Sequence, residues 1–479
     1  MSPNLKPVLA KVSERVTPSE EEREHILEWT EELRERVLRA AEEEGIEAKV
    51  RVEGSVAKDT WLSGEPEIDI FLQVPTSIPR EELGKICLRI ARRATEGFEQ
   101  IERFAEHPYL EAIVDNVTVN IVPCYQVERR KWKSATDRTP FHTDYVKARL
   151  NKELCKEVRL LKRFLKGIGI YGAEIRVGGF SGYLCELLVL NYGSFTQVLE
   201  SFAEWEGRRT IDYRKRYRGE QEDLERTFEE PLVVVDPVDR ERNVAAAVRK
   251  ESLSEFVAAG RRFLKNPDLK FFYPPERAAL SPTELVKALE TRGTALVLVK
   301  FGGVDAVPDV LWGQLQKSNR SLRRLLERHN FRILRDSIWS NKENTDLILL
   351  FEVEQKILPS IKKHLGPPIT RRKECEDFLQ KYLGADHTLS GPYMEGDRWV
   401  VEMRRDYTHV SQLLTEKLSE DARRLGVAQL VAESIAKGFE VLVNEQVLDF
   451  YSSSLEFARF LTEYLEGNPS WLRYPLIDG

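Results

Sequence analysis

The spacing of apolar residues changes period several times along the first 145 positions. Ile26, Trp29, Leu33, Val37, Ala40 and Ala41 recur at helical spacing. Thr17-Pro18-Ser19-Glu20 reads as the start of that helix, with Thr17 as cap, Pro18 at the first helical position and Glu20 closing a capping box. Gly45 fits its stop. Ala48, Val50 and Val52 then alternate with Lys49, Arg51 and Glu53, the pattern of a half-buried strand. Residues 68–74 predict a second strand, and a helix follows over about 79–95. The segments 111–114 and 117–122 flank Asp115-Asn116 and predict a hairpin.

From about 152 to 265 the pattern turns mostly helical. Val158, Leu161, Phe164 and Leu165 form one stripe, and 183–190 and 253–264 are further apolar helices. Pro274-Pro275 marks a linker. Beyond it, a strand at 296–301, a helix at 310–328 and strands at 332–337 and 346–353 are ordered as in a split βαβ sandwich. After 375 the pattern gives a helix, a strand at 398–403 and amphipathic helices near 409–418, 421–438 and 454–466. The expectation is an α+β, multidomain chain of four segments: a head at 1–145, a helical neck at 146–273, a split-βαβ body at 274–374 and a helical tail at 375–479.

Composition narrows the class. With 32% charged residues and no apolar run of membrane-spanning length, a soluble protein is expected. The opening Met1-Ser-Pro-Asn-Leu-Lys has no apolar signal core, so the expected location is cytoplasmic. The five cysteines show no zinc or redox spacing. A net charge of −6 excludes a protein basic all over, yet leaves room for local basic patches that grip phosphates.

Candidate chemistry concentrates at 54–72. Gly54-Ser55 opens a turn after the first strand, and Glu67 and Asp69 stand two apart at the head of the next. That spacing puts both carboxylates on one face of a strand. Neighbouring carboxylates repel unless a cation lies between them, and Mg²⁺ takes oxygen ligands and brings nucleotide phosphates with it. Gly54 allows close backbone approach to a phosphate, Ser55 offers a hydroxyl, and Lys58 offers charge. Two-metal phosphoryl transfer generally uses a third carboxylate. Its natural place is the hairpin arm 117–125, where position 120 is Asn; Asp115 lies in the turn, five residues away.

The chain resembles the archaeal (class I) CCA-adding tRNA nucleotidyltransferases of the DNA polymerase beta superfamily, nearly end to end. The resemblance rests on Gly54-Ser55 through Phe71, Ala105-Glu-His-Pro-Tyr109 and Val122-Pro-Cys-Tyr125. It continues in Asp137-Arg-Thr-Pro-Phe-His142, Glu157-Val-Arg-Leu-Leu-Lys162 and Gly169-Ile-Tyr-Gly-Ala-Glu174. Gly179-Phe-Ser-Gly-Tyr-Leu-Cys-Glu186, Val235-Asp-Pro-Val-Asp239 and Arg242-Asn-Val-Ala-Ala246 complete it. It implies addition of C, C and A to tRNA 3′ ends from CTP and ATP, with Mg²⁺ as cofactor and no nucleic-acid template. Glu67, Asp69 and position 120 would be the catalytic and metal-binding positions. Gly54, Ser55, Lys58, His142, Lys162 and Tyr171 would hold the nucleotide, and Arg242 would read the incoming base together with the tRNA backbone. The resemblance leaves open whether the chain forms a homodimer.

Each of these residues has an ordinary alternative. His142 fits a helix cap, Lys162 a side chain reaching to solvent from an apolar stripe, Tyr171 a loop aromatic on the core, and Arg242 a charged loop. Two positions depart from the family: Lys58 stands where it usually has Arg, and Asn120 where it has Asp. Lys keeps the charge but loses the two-pronged grip. Asn keeps an oxygen donor, loses a full charge and cannot accept a proton. The chemistry is therefore expected to be impaired while binding survives. Basic clusters at 129–133, 214–218, 320–324 and 371–373 suggest an RNA track, and the resemblance implies that it clamps the acceptor and T stems. Two other readings stay open: a poly(A) polymerase or oligoadenylate synthetase relative, and a non-catalytic tRNA-binding paralogue.

Overall fold

The computed structural model describes residues 3–104 and 106–473, so Ala105 of the 105–109 motif lies outside the described residues. The chain divides into two compact units, Met1–Glu276 with Asn468–Gly479, and Arg277–Gly467. No helix among the described residues is long and apolar enough to cross a membrane.

The first unit begins with a helix that the sequence reading missed, α1 (Leu5–Val16), followed by α2 (Glu20–Glu43). The predicted cap is corrected here. Thr17 closes α1, and Ser19, in extended conformation, caps α2 by accepting the Glu22 amide at 3.1 Å. Pro18 thus sits before the cap, because α1 already occupies the chain up to Thr17.

Strand β1 (Lys49–Glu53) runs into a single helical turn, α3 (Gly54–Ala57), and then β2 (Glu67–Val74). Helix α4 (Arg80–Ala94) leads to β3 (Glu99–Phe104), β4 (Pro108–Val114) and β5 (Val117–Tyr125). The sheet order is β1-β2-β5-β4-β3, with only β2 and β5 parallel. Ile68, Ile70 and Leu72 of β2, with Val119 and Ile121 of β5, enter one core with residues of α2 and α4. Alternation then places Glu67 and Asp69 on the opposite face. Asp115 and Asn116 both adopt left-handed conformations in the β4–β5 turn, the geometry a two-residue hairpin favours.

Helices α5 (Thr139–Lys147), α6 (Lys152–Gly167), α7 (Gly182–Tyr192) and α8 (Phe195–Ala203) follow. Short parallel strands β6 (Arg209–Ile211) and β7 (Leu232–Val234) flank α9 (Gln221–Thr227), and α10 (Lys250–Lys265) closes the region. Phe164, Phe195, Phe263, Phe271 and Phe272 form its aromatic centre, with rings 5.4–6.1 Å apart around Phe164 and Trp471 stacked on Phe271.

In the second unit, α11 (Pro282–Arg292) precedes β8 (Ala295–Gly302), α12 (Pro308–Arg328), β9 (Ile333–Ser340) and β10 (Asp346–Val353). Antiparallel β10 lies between β8 and β9, which is the split βαβ arrangement. The tail is not helical alone. β11 (Ile361–Pro368), β12 (Thr388–Glu395) and β13 (Arg398–Arg404) form a three-stranded sheet beside α13 (Arg372–Tyr382). Repeated register shifts in these pairings scramble the alternation that would have revealed β11 and β12. The helix expected over 421–438 is broken: α14 (Val410–Asp421) passes into a tight turn that ends at left-handed Gly426, and α15 (Gln429–Lys437) starts afresh. Next comes β14 (Phe439–Val443), which pairs with β8, so the split-βαβ sheet draws its edge strand from beyond residue 375. Helices α16 (Leu448–Ser453) and α17 (Leu455–Glu466) complete the unit.

Candidate active site

The face of β2 that carries Glu67 and Asp69 meets β5 with Asp69 directly opposite Asn120. The Asn120 amide nitrogen donates to Glu67 Oε1 at 2.6 Å and to Asp69 Oδ1 at 3.1 Å. Its carbonyl oxygen is buried without a partner. Burial pushes the Asp69 carboxyl up to about 7, and the neighbouring Glu67 carboxylate pushes the same way against the Asn120 hydrogen bond. The amide hydrogens therefore stand where a cation would otherwise separate the two acids.

Gly54 closes over this pair. It has φ +68°, and a Cβ there would fall 1.8 Å from Asp69 Oδ2. Only glycine leaves room for the carboxylate while holding that backbone conformation. Ser55 continues the same turn, and its carbonyl accepts the Thr60 amide at 3.0 Å.

Two carboxylates and an amide oxygen are hard oxygen donors and suit Mg²⁺, provided the Asn120 amide turns its oxygen towards the acids. Among the described residues no group of three or more His, Cys, Asp or Glu could hold a metal, consistent with an amide in the third position. Neither nearby acid replaces it. Glu111, opposite Asn120 on β4, pairs with Arg103 at 2.7 Å, and Asp115 in the turn pairs with His25 at 2.9 Å.

Lys58 follows the α3 turn and does not reach solvent. Its Nζ lies 2.6 Å from Glu186 Oε2, with the two side chains 8% and 1% exposed. Thr60 donates to the other Glu186 oxygen at 2.8 Å. Lys162 of α6 donates to Thr60 O and Oγ1 at 3.0 and 3.1 Å, and lies 4.0 Å from Glu186. The solvent-reaching alternative for Lys162 is thus overturned: it is buried, and burial lowers its pKa against the pull of Glu186. Tyr171 joins this group. A Cβ on Gly182 would lie 3.1 Å from Tyr171 Oη and 3.4 Å from Lys162 Nζ.

A second cluster adjoins the first. His142 stacks on Tyr183 at 4.3 Å and reaches Asp236 Oδ2 at 2.9 Å. Asp236 also accepts from Tyr183 at 3.2 Å, from the Val238 amide at 2.8 Å and from Arg242 at 2.9 Å. Burial opposes ionisation of Asp236, but His142, then the Val238 amide and then Arg242 outweigh it and hold the carboxyl down at about 2. Burial lowers the His142 pKa against the pull of Asp236. His142 is therefore not a helix cap, and Arg242 is not part of an unattached charged loop. Lys58 lies 5.9 Å from the Tyr183 ring centre and links the two clusters.

Fully buried Arg159 supports the site from below. It donates to the carbonyls of Asp59 and Trp61 at 2.6 and 2.9 Å, holding the segment after Lys58 against α6.

The structure thus gathers all ten residues singled out from the sequence around one region of the first unit. The sequence reading did not single out Glu186, Tyr183, Thr60 or Asp236. Two signals were available. Glu186 is the only charged residue in an otherwise apolar helix, and Asp236 ends the apolar run Leu232–Val235 just before Pro237. A lone acid in such a setting needs a partner.

Residues 13–142 match the nucleotidyltransferase domain, 156–273 the second domain of tRNA nucleotidyltransferases, and 292–444 the C-terminal domain of the CCA-adding enzyme. The CCA-adding enzyme of Methanosarcina barkeri is 39% identical over 90% of this chain and 93% of its own. The chain belongs to the CCA-adding enzyme family. The family's Archaeoglobus fulgidus member is 40% identical over 92% of this chain and 95% of its own, and the Methanothermobacter thermautotrophicus member is 37% identical over 95% and 97%. Among solved structures, a cytoplasmic RNA terminal U-transferase aligns with 55% of this chain and 94% of its own, at 16% identity and a TM-score of 0.42.

Proposed function

We propose that this protein adds C, C and A in turn to tRNA 3′ ends from CTP and ATP, by attack of the 3′-hydroxyl on the α-phosphate. The observation that carries this reading is the Glu67–Asp69 pair under Gly54, with the Lys58 charge acting on Asp69 and Lys58 sharing Glu186 with Lys162. Glu67, Asp69 and the Asn120 oxygen would hold Mg²⁺. When bound, that ion supplies Lewis-acid polarisation of the phosphate and a more acidic 3′-hydroxyl. Lys58 and Lys162 neutralise the triphosphate, Ser55 adds a hydroxyl donor, and Tyr171 with Gly182 shapes the adjoining space. Arg242, oriented by Asp236, reads the base edge beside His142. Asn120 cannot take up a proton, so the chemical step is slow in this chain while nucleotide binding persists.

For tRNA, two of the four basic clusters converge. Arg129 and Arg216 both donate to the carbonyl of Pro237, at 3.0 and 2.8 Å, next to Asp236. In the other two clusters Arg323 pairs with Glu327 and Asp336, Arg371 with Glu374 and Arg372 with Glu376, as Lys131 does with Glu128 in the first. The first pair is therefore our candidate for the phosphates of the acceptor stem, with work in the cytoplasm the expected setting.

The test is a tRNA ending at the discriminator base, incubated with each nucleotide separately. CTP alone should add C. An adenylyl-only enzyme would add nothing from CTP. The Asn120 amide bonded to both acids favours one second reading, a tRNA-binding protein without catalysis; tight binding with no extension in Mg²⁺ or Mn²⁺ would select it.

A further inference from the structure

Glu186 is a single carboxylate enclosed among apolar neighbours on α7: Leu184, Cys185, Leu187, Leu188 and Val189 are all buried. An unpaired carboxylate there would be costly. It is not unpaired: it faces two ammonium groups, Lys58 at 2.6 Å and Lys162 at 4.0 Å, which arrive from the α3 turn and from α6. One negative charge meets two positive ones beside Tyr171 and Gly182, and the Lys58 charge also acts on Asp69.

We propose that Glu186 is a positioning residue for the incoming nucleotide: it gathers Lys58 and Lys162 into one site and leaves their surplus charge for a nucleoside triphosphate. This rests on the reading of both lysines as phosphate-binding groups. Geometry makes the arrangement specific. Each Glu186 oxygen has its own donor, Thr60 on one and Lys58 on the other, so the carboxylate cannot rotate without breaking a bond. Thr60 in turn accepts from Lys162, so one side chain sets the place of both cations. The groups facing Lys162 are Lys58 from the α3 turn, Arg159 from its own helix, and Cys185 and Glu186 from α7. Of these, Glu186 favours the ammonium form most, and burial pushes the Cys185 thiol up to about 12.

The experiment measures CTP and inorganic triphosphate affinity by calorimetry from pH 6 to 9, for the full chain and for Glu186→Gln, Glu186→Asp and Lys162→Met. Simple removal of a negative charge would tighten binding of an anion. The proposal expects the opposite in Glu186→Gln: affinity weaker by about tenfold, because two cations lose their shared anchor. Loss of affinity at alkaline pH should also begin at a lower pH, because Lys162 sheds its proton more readily. Glu186→Asp retains the charge but moves it, so affinity falls without that pH displacement, and it serves as the variant should Glu186→Gln not fold. Unchanged or tighter binding in either folded Glu186 variant, with Lys162→Met weakened, overturns the proposal. Unchanged binding in Lys162→Met overturns the underlying site reading instead.

Discussion

The backbone of Gly54 lies against the carboxylate of Asp69, 1.8 Å from where a side-chain carbon would begin. The contact couples the turn after β1 to the acid of β2, so neither can shift alone. Gly54→Ala should destabilise the protein by on the order of 1–3 kcal/mol, through both the left-handed backbone and the displaced carboxylate. Nucleotide addition should fall further than stability does. Urea unfolding beside single-turnover addition separates the two losses.

Asn120→Asp should raise the rate of CMP and AMP addition by about a hundredfold to a thousandfold, the scale of a group that acts in the transition state. Nucleotide affinity without metal should not improve, since a third carboxylate adds repulsion to an already raised Asp69. Rapid-quench rates at saturating Mg²⁺ decide it. A rate that does not rise means that position 120 has been assigned wrongly.

His142 and Asp236 predict two acid limbs in stability. The folded protein resists protonating His142, so stability should begin to fall as pH drops below the ordinary histidine value of 6.5. The Asp236 contribution is fully present above its ordinary value of 3.8 and is lost as pH falls towards about 2. His107, His329 and His364 are also lowered by burial, so the informative quantity is a difference. Urea midpoints at pH 5.5 and 7.5 should be closer together in His142→Gln than in the parent chain.

Arg129→Ala and Arg216→Ala should weaken tRNA binding nearly alike for all tRNAs, and each should reduce the slope of log affinity against log salt by about one. Arg372→Ala, at an exposed ion pair, should change neither by a comparable amount. Filter binding across a salt series measures both.

The head was legible because its signals are local. Strong alternation in β2 and β5 set which residues face the core and which face the site, and the Asp115-Asn116 turn fixed their hairpin partner. Helix α1 escaped notice although Leu5, Val8, Leu9, Val12 and Val16 recur at helical spacing, with Pro7 inside its first turn. Strand β14 escaped because its partner β8 lies over a hundred residues earlier, a pairing no local pattern reveals. Within the site, residue types that announce chemistry by spacing were found, while Glu186, Tyr183 and Asp236 act through partners on other elements. Their roles became readable only when α6, α7 and the loop after β7 were placed beside one another.

Arg159 carries a consequence of its own. Its buried guanidinium crosses from α6 to the main chain of Asp59 and Trp61. The sheet region and the helices behind it are riveted at the very segment that presents Lys58. That segment and α6 move together, since parting them would strip a buried guanidinium of both main-chain acceptors.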